Sequence, residues 1–110
     1  MDKIKVEIQN YTLNCLCNLH DVVIEEASLY PAEIETTKEY KAVLGLVDKV
    51  IIKLKKKLLD KRSASTFSFG LEYYQAYYLV QFLFANIQRI RGITEQTILF
   101  NLAMKIDQEL

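Results

Sequence analysis

The chain of 110 residues holds one histidine, His20, and two cysteines, Cys15 and Cys17, so nucleophilic or soft-metal chemistry has to be built around these three. Cys17-x-x-His20 is the only fragment with a ligand spacing, since residues at i and i+3 on a helix face the same way. Two ligands fall short of the four that a structural zinc ion takes, and at helical spacing Cys15 projects about 200° away from Cys17. The pattern predicts small buried thiols and a core imidazole, with no metal and no cofactor. Any Ser-His-Asp or Cys-His site would have to use His20, which falls with Leu16, Ile24 and Ala27 on an apolar helical side where a hydrogen-bonded core histidine is expected. Asp21 and Glu25, at i and i+4 with Glu26 beside them, read as a solvated acidic face and not as a tuned catalytic pair. Phe69-Gly70 is a lone glycine after a strand residue, not a phosphate-cradling loop. The chain is therefore expected not to be an enzyme.

Two constellations suit binding. Residues 49–62 carry Lys49, Lys53, Lys55, Lys56, Lys57, Lys61 and Arg62 against Asp60 alone, a net of +6, whereas residues 1–48 net −5 and residues 63–110 net −1. Lys49, Lys53, Lys57 and Lys61 stack at helical spacing with Lys56 beside the row, and like charges at i, i+4 are mildly destabilising. Lys49, Lys53, Lys56, Lys57, Lys61 and Arg62 are the candidate phosphate contacts of a nucleic-acid-binding accessory protein. Against this stand the favourable interaction of cations with a helix C-terminus and the lack of an aromatic platform beside the run.

The second constellation is aromatic. Along the helix predicted over residues 72–89 and just past its end, Ala76, Leu79, Leu83, Ile87 and Ile90 already make a core face. Tyr73, Tyr77, Val80 and Phe84 then fill one flank, and Tyr74, Tyr78 and Phe82 the other. One flank can pack against neighbours; the spare one becomes an exposed aromatic stripe unless the helix is buried all round. Tyr73, Tyr74, Tyr77, Tyr78, Phe82 and Phe84 are thus the candidate anchors for a protein partner or a second copy of the chain.

These residues require elements to hold them. Ile4, Val6 and Ile8 alternate with Lys3, Lys5 and Glu7, which predicts a half-buried strand over residues 3–8; Phe67, Phe69 and Leu71 predict its partner over 66–71. Helical periodicity runs from Tyr11 to Ser28, from Ala32 to Lys61 with a heptad seam of Tyr40, Leu44, Val47, Ile51, Leu54 and Leu58, and from Glu72 to Arg89. Arg91-Gly92 marks the end of the third helix, and Thr94 is the expected N-cap of a fourth from Glu95 to Gln108. The fold class is therefore α+β and predominantly helical: four helices with a two-stranded antiparallel ribbon, covered on one face because a bare ribbon is marginal in water.

Length and composition agree with a single domain over residues 1–110. The hydrophobic fraction is 51 % and the charged fraction 25 %, which excludes disorder, while three glycines and one proline supply too few turns for a sandwich or barrel. Net charge is zero, so no overall field draws the chain to nucleic acid or lipid. The longest uncharged apolar stretch, Tyr73 to Gln88, is 16 residues against the ~20 a spanning helix needs, so no membrane is expected. No secretory h-region opens the chain and cysteine usage fits a reducing interior, which predicts a cytoplasmic protein. Sliding the chain by 63 residues lays Ile4, Val6, Ile8, Tyr11 and Leu16 over Phe67, Phe69, Leu71, Tyr74 and Leu79, so pseudo-repeats over 1–62 and 63–110 are a second expectation.

Overall fold

The computed structural model describes residues 3–29, 38–60 and 66–110. Strand β1 (Ile4–Gln9) leads into α1 (Asn10–Leu29), then α2 (Lys38–Asp60), β2 (Thr66–Leu71), α3 (Tyr73–Asn86), a 3-10 turn (Ile87–Arg89) and α4 (Ile93–Asp107). The strands pair antiparallel with Ile4 opposite Leu71, Val6 opposite Phe69 and Ile8 opposite Phe67. This register buries Val6, Ile8, Phe69 and Leu71 and sends Lys5 and Glu7 to solvent, as the alternation requires. The predominantly helical α+β class with four helices and one two-stranded ribbon is the observed architecture.

One continuous core draws on every strand and every α-helix. Leu13, Leu16, Leu19 and Val23 come from α1, Val47, Val50, Ile51 and Leu54 from α2, and Leu99, Leu102, Ala103 and Ile106 from α4. Burying a leucine- or isoleucine-sized side chain stabilises by about 1.5–3 kcal/mol, so this shared cluster is what makes the ribbon viable. The heptad seam is buried at Val47, Ile51 and Leu54 and partly buried at Leu44; the side chains of Tyr40, Lys57 and Leu58, and all of Lys61 and Arg62, lie outside what is described. So does the expected start of the second helix at Ala32.

The third and fourth helices meet differently from the sequence expectation. Gln75 Oε1 accepts from the Glu72 backbone N–H at 2.9 Å, which fixes the start of α3 where it was expected. Its α-helical part ends at Asn86, three residues before Arg89. Asn86 is buried; its amide donates to the Phe82 carbonyl at 2.9 Å, and its Oδ1 accepts from Arg89 Nε at 2.9 Å. Arg89 in turn pairs with Glu26 of α1, so the last turn is drawn toward α1 instead of continuing the helix. Gly92 is not the stop of α3 but the N-cap of α4, with φ 106°, and Thr94 lies inside the first turn. A Cβ at position 92 would run into the Glu95 carboxylate and hold a conformation that L side chains rarely adopt, which is why glycine starts this helix. Both halves of the chain follow the order strand, helix, helix; order alone does not establish duplication.

Candidate interaction surface

Helix α3 packs against α4, α2 and β2 at once, so its aromatic flanks are divided by its neighbours. Phe82 is only 2 % exposed, with its ring centroid 6.3 Å from that of His20. It is a core residue and not an accessible anchor, because its ring packs into the shared core against His20 of α1. Tyr74, two turns earlier on the same flank, is exposed, and Tyr78 is half-buried with its ring edge-on to Tyr77 at 5.5 Å. On the other flank Val80 is buried, while Tyr73, Tyr77 and Phe84 reach solvent.

The Tyr73–Phe84 flank continues onto α4. The Tyr73 hydroxyl donates to the Leu110 carbonyl at 3.4 Å, and the Phe84 ring meets Phe100 edge-on at 5.9 Å. These contacts set α3 and α4 antiparallel and side by side. Ile93, Phe100 and Met104, spaced by seven and four, share one side of α4, away from Leu99, Leu102, Ala103 and Ile106. Tyr73, Tyr77, Phe84, Ile93, Phe100 and Met104 are each 39–83 % exposed. No charged residue occurs from Tyr73 to Gln88 or from Gln96 to Met104. Chemically, such a surface can stack, exclude water and offer tyrosine hydroxyls as hydrogen-bonding handles. Helical periodicity hides the α4 half, because Ile98, Leu102 and Ile106 already make one apolar face of the fourth helix; the second stripe at 93, 100 and 104 is the available signal.

The basic constellation keeps Lys49, Lys53 and Lys56 exposed along α2. Lys55 turns the other way, with Nζ 3.8 Å from an Asp21 oxygen on α1. Half the candidate phosphate contacts are thus placed as a solvent row.

His20 is buried as expected, but neither ring nitrogen makes a hydrogen bond among the described residues. Asp48 Oδ1 stands 3.4 Å from Nε2, close but outside hydrogen-bonding geometry. Burial drives the imidazole pKa below its ordinary value of 6.5, with Asp48 opposing that shift. Burial likewise raises the thiol pKa of Cys15 and of Cys17, so both sulfurs are held as thiols. Among the described residues no three His, Cys, Asp or Glu side chains gather as a metal site.

Among the described residues, clefts open on two sides of this core. One of about 380 Å³ lies between the ribbon and α4, where Lys105 Nζ donates to the Glu7 carbonyl at 3.0 Å beside Thr12, Thr66 and Asn101. The other, about 590 Å³, runs between α1 and the α3–α4 connection, lined by Glu25, Glu26, Arg89, Arg91 and Glu95. Neither has His20 or a cysteine in its wall. The Tyr11 hydroxyl donates to Glu95 at 3.2 Å, and that contact raises the phenol pKa. Among the described residues no helix is long and apolar enough to cross a membrane. No protein family, curated protein or solved structure matches the chain.

Proposed function

We propose that this protein is a non-enzymatic interaction module that docks through the outer face of the α3–α4 pair. The observation that carries this reading is the grouping of Tyr73, Tyr77 and Phe84 with Ile93, Phe100 and Met104 on one side of the helix pair, with no charged residue from 73 to 88 or from 96 to 104. Isolated exposed apolar residues are ordinary, but a contiguous group of large ones marks an interaction site. Aromatic and methionine side chains are the types enriched at such sites, and Phe84 and Phe100 are the central anchors. A non-catalytic role fits the burial of His20 and of both thiols, none of which lines either cleft described above. Two free, buried cysteines fit a reducing, cytoplasmic setting.

A photo-crosslinking residue placed at Tyr77 tests the reading directly. Irradiation in cells is expected to give intermolecular adducts from position 77 and none from position 53 on α2. Adducts from position 53 alone would instead favour the exposed lysine row of Lys49, Lys53 and Lys56, the surface a nucleic-acid-binding protein would use.

A further inference from the structure

We infer that the occupant of the α3–α4 face is a second copy of this chain, docked about a twofold axis with the two α4 helices antiparallel. This rests on the docking role proposed above and names the partner.

Area is the first argument. With side chains of roughly 200 Å² each, the six exposed residues leave about 600 Å² of mostly apolar surface, close to the ~800 Å² per partner of a standard stable interface. The flanking Gln81, Thr97 and Asn101 are also exposed and extend the face.

Charge is the second. The middle of the face, made of aromatic rings, aliphatic groups and amides, carries no charge, and its best match is another surface of the same kind. Its own copy is such a surface. A chain with zero net charge also meets no long-range repulsion on pairing with itself.

The ends of the face supply the orientation. Arg91 stands just before α4, on the wall of the cleft between α1 and the α3–α4 connection, and Asp107 closes α4. Both are exposed, and neither makes an ion pair with another side chain among the described residues. Asp107 follows Phe100 by seven residues and so lies on the same side of the helix. The midpoint between Arg91 and Asp107 is residue 99, one position from Phe100. An antiparallel pairing centred there sets Phe100 near its own mate on the axis and brings each Arg91, at the start of α4, toward the opposing Asp107 at its end. A parallel pairing would set like charge against like at both ends.

The test is light scattering of the full chain over a concentration series. The expected mass is twice that of the chain, falling to one chain on dilution. The double variant Phe84→Ser, Phe100→Ser should be monomeric at every concentration, with unchanged helical circular dichroism showing that it folds. Arg91→Asp or Asp107→Arg alone converts two attractive pairs into two repulsive ones and should weaken the dimer about tenfold. Combining the two reversals should restore it. A monomer at all concentrations overturns the inference but leaves the docking role intact if position 77 still crosslinks to another protein. A dimer indifferent to the Phe84 and Phe100 changes overturns both. A dimer weakened further by the combined reversal overturns the antiparallel pairing.

Discussion

The outer faces of α2 and of the α3–α4 pair solve the same problem, contact with water, in opposite ways. On α2 the core side holds Val47, Val50, Ile51 and Leu54, and the other side carries Lys49, Lys53 and Lys56, whose ammonium groups stay hydrated. Ile52 is exposed among them, but one apolar residue within a charged face needs no partner. The α3–α4 face has six large exposed apolar residues and no charge between Tyr73 and Gln88 or between Gln96 and Met104. Burying a face that carries lysines means desolvating ammonium groups, whereas burying the aromatic one releases ordered water at little polar cost. The contrast teaches that contiguity and lack of charge, rather than exposure as such, distinguish a docking surface from a solvated one.

The sharpest division lies within α3 itself. Phe82→Ala should destabilise the fold by about 3–5 kcal/mol, since it removes a buried ring and leaves a cavity. Phe84→Ala, one flank away and half-exposed, should change the stability of the monomer by less than about 1 kcal/mol while weakening association. Urea denaturation at high dilution measures both; equal losses would erase the distinction between core and docking aromatics.

Acid offers a way to loosen the α2 side and spare the docking face. The folded-state pKa of His20 is depressed by burial below its unfolded value of 6.5, so the unfolded chain binds the proton first. The corresponding stability is fully present above about pH 6.5 and declines as pH falls from there toward the folded-state pKa. Facing His20 are Asp48 and Lys55 from α2 and Asp21 from α1, with the Phe82 ring from α3. Thermal melts of the wild type between pH 7.5 and 5.5 should show this slope, and His20→Gln should flatten it. A melt that rises on acidification would mean that the Asp48 carboxylate, not burial, governs the imidazole.

The smallest expected effect is on the lysine row. Lys49→Glu with Lys53→Glu should shift monomer stability by within about 0.5 kcal/mol and leave association unchanged, because both side chains are exposed. The same variant abolishes any salt-dependent binding of a duplex DNA probe if the row grips phosphates. Loss of self-association on changing only these lysines would merge the two surfaces into one.

Much of the fold was legible because its signals are local. The alternation of Ile4, Val6 and Ile8 with lysines and glutamate has period two, and the leucines of residues 13–19 have period 3.6; the observed strands and helices follow both. The misjudged boundary, where Gly92 caps α4 in place of Thr94, depended on a glycine able to adopt φ 106° and on Asn86 being held by Arg89 and Glu26. Glu26 and Arg89 are 63 residues apart, a separation no local pattern encodes.

The sequence by itself determined the element order, the inward face of each strand through alternation, the core status of His20 and the two cysteines, and the uncharged aromatic character of residues 73–88. Only the tertiary structure decided which aromatic belongs to which environment. It sank Phe82 against His20, left Phe84 at the surface, and set Phe100 of α4 against it to turn one helix flank into a two-helix face. The physical reason is that periodicity fixes the angle of a side chain around its own helix axis, whereas burial depends on which neighbours occupy that angle.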